Sequence, residues 1–183
     1  RAPVSIQYPA VELLTASAFI LCLLSKGPGM GSAIMCMFSG ILITAAFIDA
    51  RHMYIPDGIH VLILLLSCIS LAAGSAPSLM NRLCGSLLTG GFLALVNLLS
   101  RGGVGWGDVK LFAASGLLIG AAPAMTALLM GYVTAGLWYA VPLLRGRVGR
   151  KTQIPMAPFF AVSLMICGLW FRQLLLWYLG FFR

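Results

Sequence analysis

Four acidic residues occur in this 183-residue chain: Glu12, Asp49, Asp57 and Asp108. Two of them stand where a long apolar run meets a polar loop. Asp49 ends the run 27–48, and Asp108 closes the glycine-rich turn 102–107 and opens the next run. A carboxylate carried into hydrocarbon costs about 2.5–3.5 kcal/mol at mid-bilayer by insertion scales. A chain that has shed nearly every other acid and keeps these two at a membrane edge has a use for them. Two carboxylates that meet at one membrane face can hydrolyse a peptide bond: one takes a proton from water while the other protonates the scissile carbonyl. At about 4 Å, in an effective dielectric near 20, ionising both costs about 4 kcal/mol, so such a pair shares one proton. This chemistry goes through a tetrahedral diol, with no covalent intermediate and no metal.

Plainer roles compete with this one. Asp108 lies in Gly105-Trp106-Gly107-Asp108-Val109-Lys110, a G-x-G-D pattern whose glycines permit a sharp turn and tight packing before the acid. Taken alone, Asp108 is explained equally well as a helix cap. Asp57, followed by Gly58, reads as a cap or loop residue. Asp49 comes after its apolar run, where the helix dipole disfavours an anion, so capping accounts for it poorly. Lys110 either meets phospholipid headgroups or tunes Asp108, and the lipid-facing role is the simpler. Glu12 reads as a membrane-edge residue with an arginine partner. His52 and His60 read as loop or interface residues. Asp49 and Asp108 are thus the candidate catalytic pair, with Gly105, Gly107, Lys110 and Asp57 as their supporting motif.

The elements that must position these groups follow from composition. Sixty-one per cent of the residues are hydrophobic and 9% charged, which no soluble domain of this size resembles. The apolar runs repeat along the whole chain, so none reads as a cleavable signal peptide. Backbone polar groups must be satisfied within each span, and nothing alternates as a membrane barrel would, so the expected fold is all-α, a polytopic transmembrane helix bundle. Seven spans are expected, at about 9–25, 32–48, 59–73, 83–99, 109–122, 124–144 and 157–171 or a little beyond. Lys110 to Arg145 encloses 34 uncharged residues, too many for one crossing, and Gly120-Ala121-Ala122-Pro123 supplies a break. No polar stretch leaves room for a soluble domain, so residues 1–183 read as one membrane-embedded domain. Gly116 and Gly120, like Gly85 and Thr89, are spaced for close helix approach, although ordinary packing explains most of the 21 glycines.

The net charge of +8 sets orientation rather than nucleic-acid binding. With the N-terminus inside, loops 49–57, 100–108 and 145–153 share one side. With their flanks they hold Arg1, Arg51, Arg101, Lys110, Arg145, Arg147, Arg150 and Lys151, against Lys26, Arg82 and Arg183 opposite, with Arg172 near the last helix end. Both aspartates then face the cytoplasm. The cysteines at 22, 36, 68, 84 and 167 form no C-x-x-C pair and do not combine with His52 or His60, so they read as small apolar side chains and not as a metal site or disulfide framework.

At these residues the chain resembles the type IV prepilin peptidases, bacterial intramembrane aspartyl proteases, along most of its length. Tyr8-Pro9-Ala10-Val11-Glu12-Leu13-Leu14-Thr15 is similar to the segment opening that family's second span. Asp49 with Ile55-Pro56-Asp57 resembles its first catalytic motif, and Gly105-Trp106-Gly107-Asp108-Val109-Lys110-Leu111 its second. Ile154-Pro155-Met156-Ala157-Pro158-Phe159 resembles the segment before its last span, where the family usually has Phe-Gly in place of Met156-Ala157. The shorter G-x-G-D pattern is shared with presenilin and signal peptide peptidase, whose other landmarks are missing. The resemblance implies that Asp49 and Asp108 are the catalytic pair. It implies removal of short basic leaders after a glycine, from prepilins or pilin-like pseudopilins, in type IV pilus, type II secretion and DNA-uptake systems. The setting it implies is the bacterial inner membrane, with lipid around the chain, no nucleic-acid partner and no cofactor for proteolysis. Many full-length members also methylate the new N-terminus and carry an extra first span and a cytoplasmic loop with two C-x-x-C pairs. Neither is in this sequence, which starts at what looks like the stretch just after that loop. S-adenosylmethionine therefore enters only if methyl transfer occurs. Oligomeric state is left open.

Two other classes compete. A small ion- or proton-coupled transporter could use the same aspartates as carriers, although transporters place such acids near the midplane on broken helices and these sit at one edge. A membrane assembly factor without chemistry would tolerate replacement of both.

Overall fold

A computed structural model describes residues 7–74, 77–145 and 154–181. It contains seven helices: α1 (Gln7–Lys26), α2 (Met30–His52), α3 (Asp57–Ala72), α4 (Leu79–Leu99), α5 (Trp106–Ile119), α6 (Ala121–Leu144) and α7 (Ala157–Phe181), with no strand among the described residues. Five are long and apolar enough to cross a membrane. The exceptions are α3, of 16 residues, and α5, of 14. At 1.5 Å per residue α5 is about 21 Å long, short of a bilayer's hydrocarbon core of about 30 Å. The protein is an integral membrane protein, a polytopic helical bundle.

The expected boundaries shift in informative ways. α2 runs on through Asp49 to His52, so Asp49 lies inside its last turns and not beyond the helix. α5 and α6 are separate helices, as the 34-residue run requires, and the break is Gly120 alone, at φ 88°. Gly120 is therefore not part of a small-residue face on α5. The Asn81 Oδ1 accepts the Ala121 N–H at 2.9 Å and takes up one of the donors that start α6. Pro123 falls in the first turn of α6, where its missing N–H costs nothing. α7 extends ten residues past Phe171 and bends at Trp170 (φ −123°, ψ 19°), so Arg172 lies within the helix instead of near its end. Glu12 is exposed on α1 and has no ion-pair partner among the described residues, contrary to expectation. Of the basic residues used for orientation, Arg1, Arg147, Arg150, Lys151 and Arg183 lie outside the described residues. All five cysteines are free. Cys22 and Cys167 are buried, as their reading as small apolar side chains requires, but Cys68 is exposed.

The short helix α5 is the axis of the bundle and contacts α3, α4, α6 and α7. Eight of its 14 residues are buried, among them Leu111, Phe112, Ala114 and Leu118. Its closest neighbour is α4. A Cβ on Gly116 would lie 2.5 Å from the Gly85 carbonyl carbon, and one on Gly85 would lie 2.6 Å from the Gly116 carbonyl oxygen. One turn further, Gly90 admits the Ala113 methyl, and the Thr89 hydroxyl, bonded to the Gly85 carbonyl at 2.7 Å, reaches the Phe112 carbonyl at 3.0 Å. Packing of this kind binds membrane helices because lipid tails offer no hydrophobic drive to associate. On the other flank of α5, Phe112 meets Phe160 of α7 edge to face at 4.9 Å. Large apolar side chains elsewhere, such as Leu13, Leu24, Leu87 and Leu137, point outward, as a lipid-facing belt does.

Arg82 is not the loop charge that the orientation count made it. It is 1% exposed. Its guanidinium donates to the carbonyls of Pro77 (2.9 Å) and Leu117 (3.1 Å) and to the Ser70 hydroxyl (2.8 Å). The last turn of α5 leaves the Leu117 carbonyl without a helical partner, and one planar five-donor group joins it to the Ser70 hydroxyl of α3 and the Pro77 carbonyl. We expect Arg82→Leu to destabilise the detergent-solubilised protein by about 3 kcal/mol, read as a fall in thermal unfolding temperature. Arg82→Lys, which lacks the fork, should recover only part of that.

Candidate active site

The helix ends that carry the sequence motifs gather at one end of the bundle around a cavity of about 710 Å³. Both Asp49, from the last turns of α2, and Asp108, from the first turn of α5, line it. The two carboxyl groups are near enough for the charge on Asp49 to act on Asp108. The remaining wall comes from the α2–α3 turn (Met53, Tyr54, Ile55), from the loop 102–107, from Tyr132 of α6, and from Ile154 and Met156 ahead of α7.

Local structure explains how each acid arrives there. α2 ends at Met53 in the left-handed conformation (φ 51°), whose N–H returns to the Asp49 carbonyl at 2.8 Å. That stop turns the chain sharply and leaves the Asp49 side chain facing inward, 7% exposed. Its Oδ2 accepts the Ala157 N–H at 2.9 Å. Ala157 is the first residue of α7, so Asp49 supplies from a distant part of the chain the acceptor that a helix start lacks. The segment Ile154-Pro155-Met156-Ala157 is therefore the support on which Asp49 rests.

Asp108 is the third residue of α5. The residue at the helix cap is Gly105, and no side-chain cap hydrogen bond is made, so capping does not account for the acid. Gly107 explains why this turn needs glycine: a Cβ there would lie 3.3 Å from the Ile55 Cβ, so the two sequence motifs lie flush against each other. Gly105 leaves room for the carboxyl itself, since its Cβ would lie 3.4 Å from the Asp108 Oδ2.

The profile of the type IV leader peptidase family matches residues 36–140, the stretch that contains both aspartates. The chain belongs to the type IV leader peptidase family. Among curated relatives, the prepilin leader peptidase/N-methyltransferase of Aeromonas hydrophila is 32% identical over 187 residues, covering 98% of this chain and 63% of that protein. The enzyme of the same name from Bacillus subtilis strain 168 is 30% identical over 178 residues, covering 96% and 71%. The type 4 prepilin-like proteins leader peptide-processing enzyme of Escherichia coli O78:H11 is 35% identical over 172 residues, covering 89% and 61%. The chain thus spans less than two thirds of the length of the first and third of these relatives. No solved structure matches it.

In this member of the leader peptidase family, Asp57 and Lys110 depart from their simplest readings. Asp57 is the first residue of α3 but makes no cap hydrogen bond. Instead its Oδ1 accepts from the Lys110 Nζ at 2.7 Å, so Lys110 is committed to the cavity mouth and not to lipid. The hydrogen bond and charge of Lys110 hold the Asp57 carboxyl below the usual carboxylate range. His60 is an interface residue, as expected, and a buried one: its Nε2 lies 3.0 Å from the Gly107 carbonyl.

Asn97 and Tyr132 were not singled out from the sequence. Asn97 is 3% exposed at the end of α4. With its amide turned to suit both neighbours, it donates to the Val104 carbonyl at 2.8 Å and accepts from the Trp106 indole at 3.2 Å. Ser100 accepts the Gly103 N–H at 3.0 Å. Side chains thus grip the main chain of the glycine loop on both sides. An asparagine deep in an apolar run was the available signal, since a buried amide needs partners. Tyr132 carried no comparable signal. Its ring packs edge-on to Phe160 at 5.2 Å, and only the fold brings it within electrostatic reach of Asp108.

Proposed function

We propose that this chain is an intramembrane aspartic endopeptidase that removes the short basic leader from type IV prepilins or pilin-like pseudopilins at the cytoplasmic face of the bacterial inner membrane. The observation that carries this reading is the meeting of Asp49 and Asp108, from separate helices, at one cavity in a member of the leader peptidase family. Their roles follow from their surroundings. The Ala157 N–H holds the Asp49 Oδ2, which leaves Oδ1 for water. Asp49 takes a proton as the water oxygen attacks the scissile carbonyl carbon, and Asp108 gives its proton to the carbonyl oxygen. As the diol collapses, one of its hydroxyls returns a proton to Asp108 and re-forms C=O, the C–N bond breaks, and the leaving nitrogen takes up the proton held by Asp49. Residues 1–183 act as one peptidase domain surrounded by lipid.

The Aeromonas and Bacillus relatives are also named N-methyltransferases. Ribose hydroxyls, such as those of S-adenosylmethionine, are commonly held by a carboxylate. Here Asp49 and Asp108 are assigned to proteolysis, Asp57 is paired with Lys110, and Glu12 is exposed on α1. S-adenosylmethionine enters only if methyl transfer occurs, and no step is derived through it.

The test is co-expression with a pilin precursor whose basic leader ends in glycine. We expect a shift to the shorter, mature form in membranes. An unshifted precursor, with the protein verified as folded and inserted, would sink the proposal.

A further inference from the structure

We propose that His60 is a positioning residue for Asp108, holding the first turn of α5 against α3 through the carbonyl of Gly107. The inference rests on reading Asp108 as the catalytic acid. His60 is 5% exposed on the buried face of α3, a costly place for an imidazole unless it is bonded. Its Nε2 meets the Gly107 carbonyl at 3.0 Å, and because a carbonyl only accepts, Nε2 carries the hydrogen. The other ring nitrogen, Nδ1, is buried without a hydrogen-bond partner, 3.6 Å from the Asp57 Oδ1. That distance is too long for a hydrogen bond. The bond that justifies the buried ring is therefore the one to Gly107, the residue before Asp108.

A second link lies one turn away on both helices. Asp57, three residues before His60, binds Lys110, three residues after Gly107. α3 thus holds α5 at positions 107 and 110, on either side of the carboxylate. Gly107 has no side chain with which to hold itself, and on the face it turns to Ile55 a Cβ would fit only tightly, 3.3 Å from the Ile55 Cβ. At the helix start it belongs to, the Asp108 and Val109 N–H groups share one acceptor, the Gly105 carbonyl, at 3.1 and 3.3 Å. The His60 bond to the Gly107 carbonyl adds a hold from a different helix.

The purified full chain in detergent would be tested as wild type, His60→Leu and His60→Gln, the last retaining an N–H donor. Cleavage kinetics on a pilin precursor with a basic leader come first. Misplacing a reacting group by about 1 Å costs up to about 100-fold in rate, so His60→Leu should lower kcat about 10- to 100-fold with KM nearly unchanged, and His60→Gln should recover most of it. Deuterium exchange of the peptide covering residues 105–112 is the second readout and needs no activity. It should quicken about tenfold in His60→Leu, as in loss of a local restraint, with residues 121–144 unaffected and His60→Gln close to wild type. Unchanged exchange at 105–112 in His60→Leu overturns the proposal, as does an equal rise throughout the protein, which marks a general packing role. A wild type that cannot cleave the precursor counts against the peptidase reading, while the exchange result decides the role of His60 by itself.

Discussion

We expect Asp108→Asn and Asp49→Asn each to lower cleavage of a pilin precursor by about 10²–10⁴-fold or more, with the protein still folded and inserted. The size follows from the proposed mechanism, in which each carboxyl moves a proton at the same reacting centre and neither can be spared. Asparagine has nearly the same shape but cannot take up or release the proton. At position 49 the amide oxygen can still accept the Ala157 N–H, so the start of α7 keeps its partner and the loss is chemical. At position 108 no helix cap is removed, because the cap residue is Gly105. The double variant should be no worse than either single one, since groups acting as a unit are not additive. The measurement is the fraction of precursor processed in membranes, with variant levels matched by immunoblot. Retention of near wild-type cleavage by either variant removes that aspartate from the mechanism.

Gly116→Val is expected to abolish activity by a different route. The added Cβ would lie 2.5 Å from the Gly85 carbonyl carbon and 2.7 Å from the Ser86 nitrogen. These are main-chain atoms in a helix, so no rotamer change can relieve the clash and α4 and α5 must separate. Overpacking by side chains usually costs about 1–3 kcal/mol, and an obstruction made of main chain belongs at or above the top of that range. α5 carries Asp108 and holds the Thr89 and Arg82 hydrogen bonds, so displacing it disturbs both ends of the bundle. We expect a large fall in thermal stability in detergent together with loss of cleavage. Gly91→Ala, on the same α4 helix with no heavy atom within 4 Å of its added Cβ, is the control and should be close to neutral. A Gly116→Val protein as stable as the wild type would show that the α4–α5 approach is looser than described.

Much of this protein was legible in one dimension. Apolar run length and scarcity of charge determine seven helices, because unpaired backbone groups in hydrocarbon leave no alternative. The stretch Gly120-Ala121-Ala122-Pro123 marks the α5–α6 break because glycine and proline interrupt a helix whatever surrounds them. Asp49 and Asp108 stand out because an acid at a membrane edge is expensive unless used. Those are local or solvent-driven facts, carried by residue type and position alone. The tertiary structure decided which polar groups are spoken for. Arg82 looked like an outer loop charge and is a buried partner for the Leu117 carbonyl of α5 and the Ser70 hydroxyl of α3. Lys110 looked lipid-facing and binds Asp57, 53 residues away in sequence. The Ala157 N–H reaches Asp49 across 108 residues. Hydrogen bonds of that kind depend on which helix faces meet. Here that is decided by Gly85 against Gly116 and Gly107 against Ile55, close approaches between segments that nothing in their own neighbourhoods pairs.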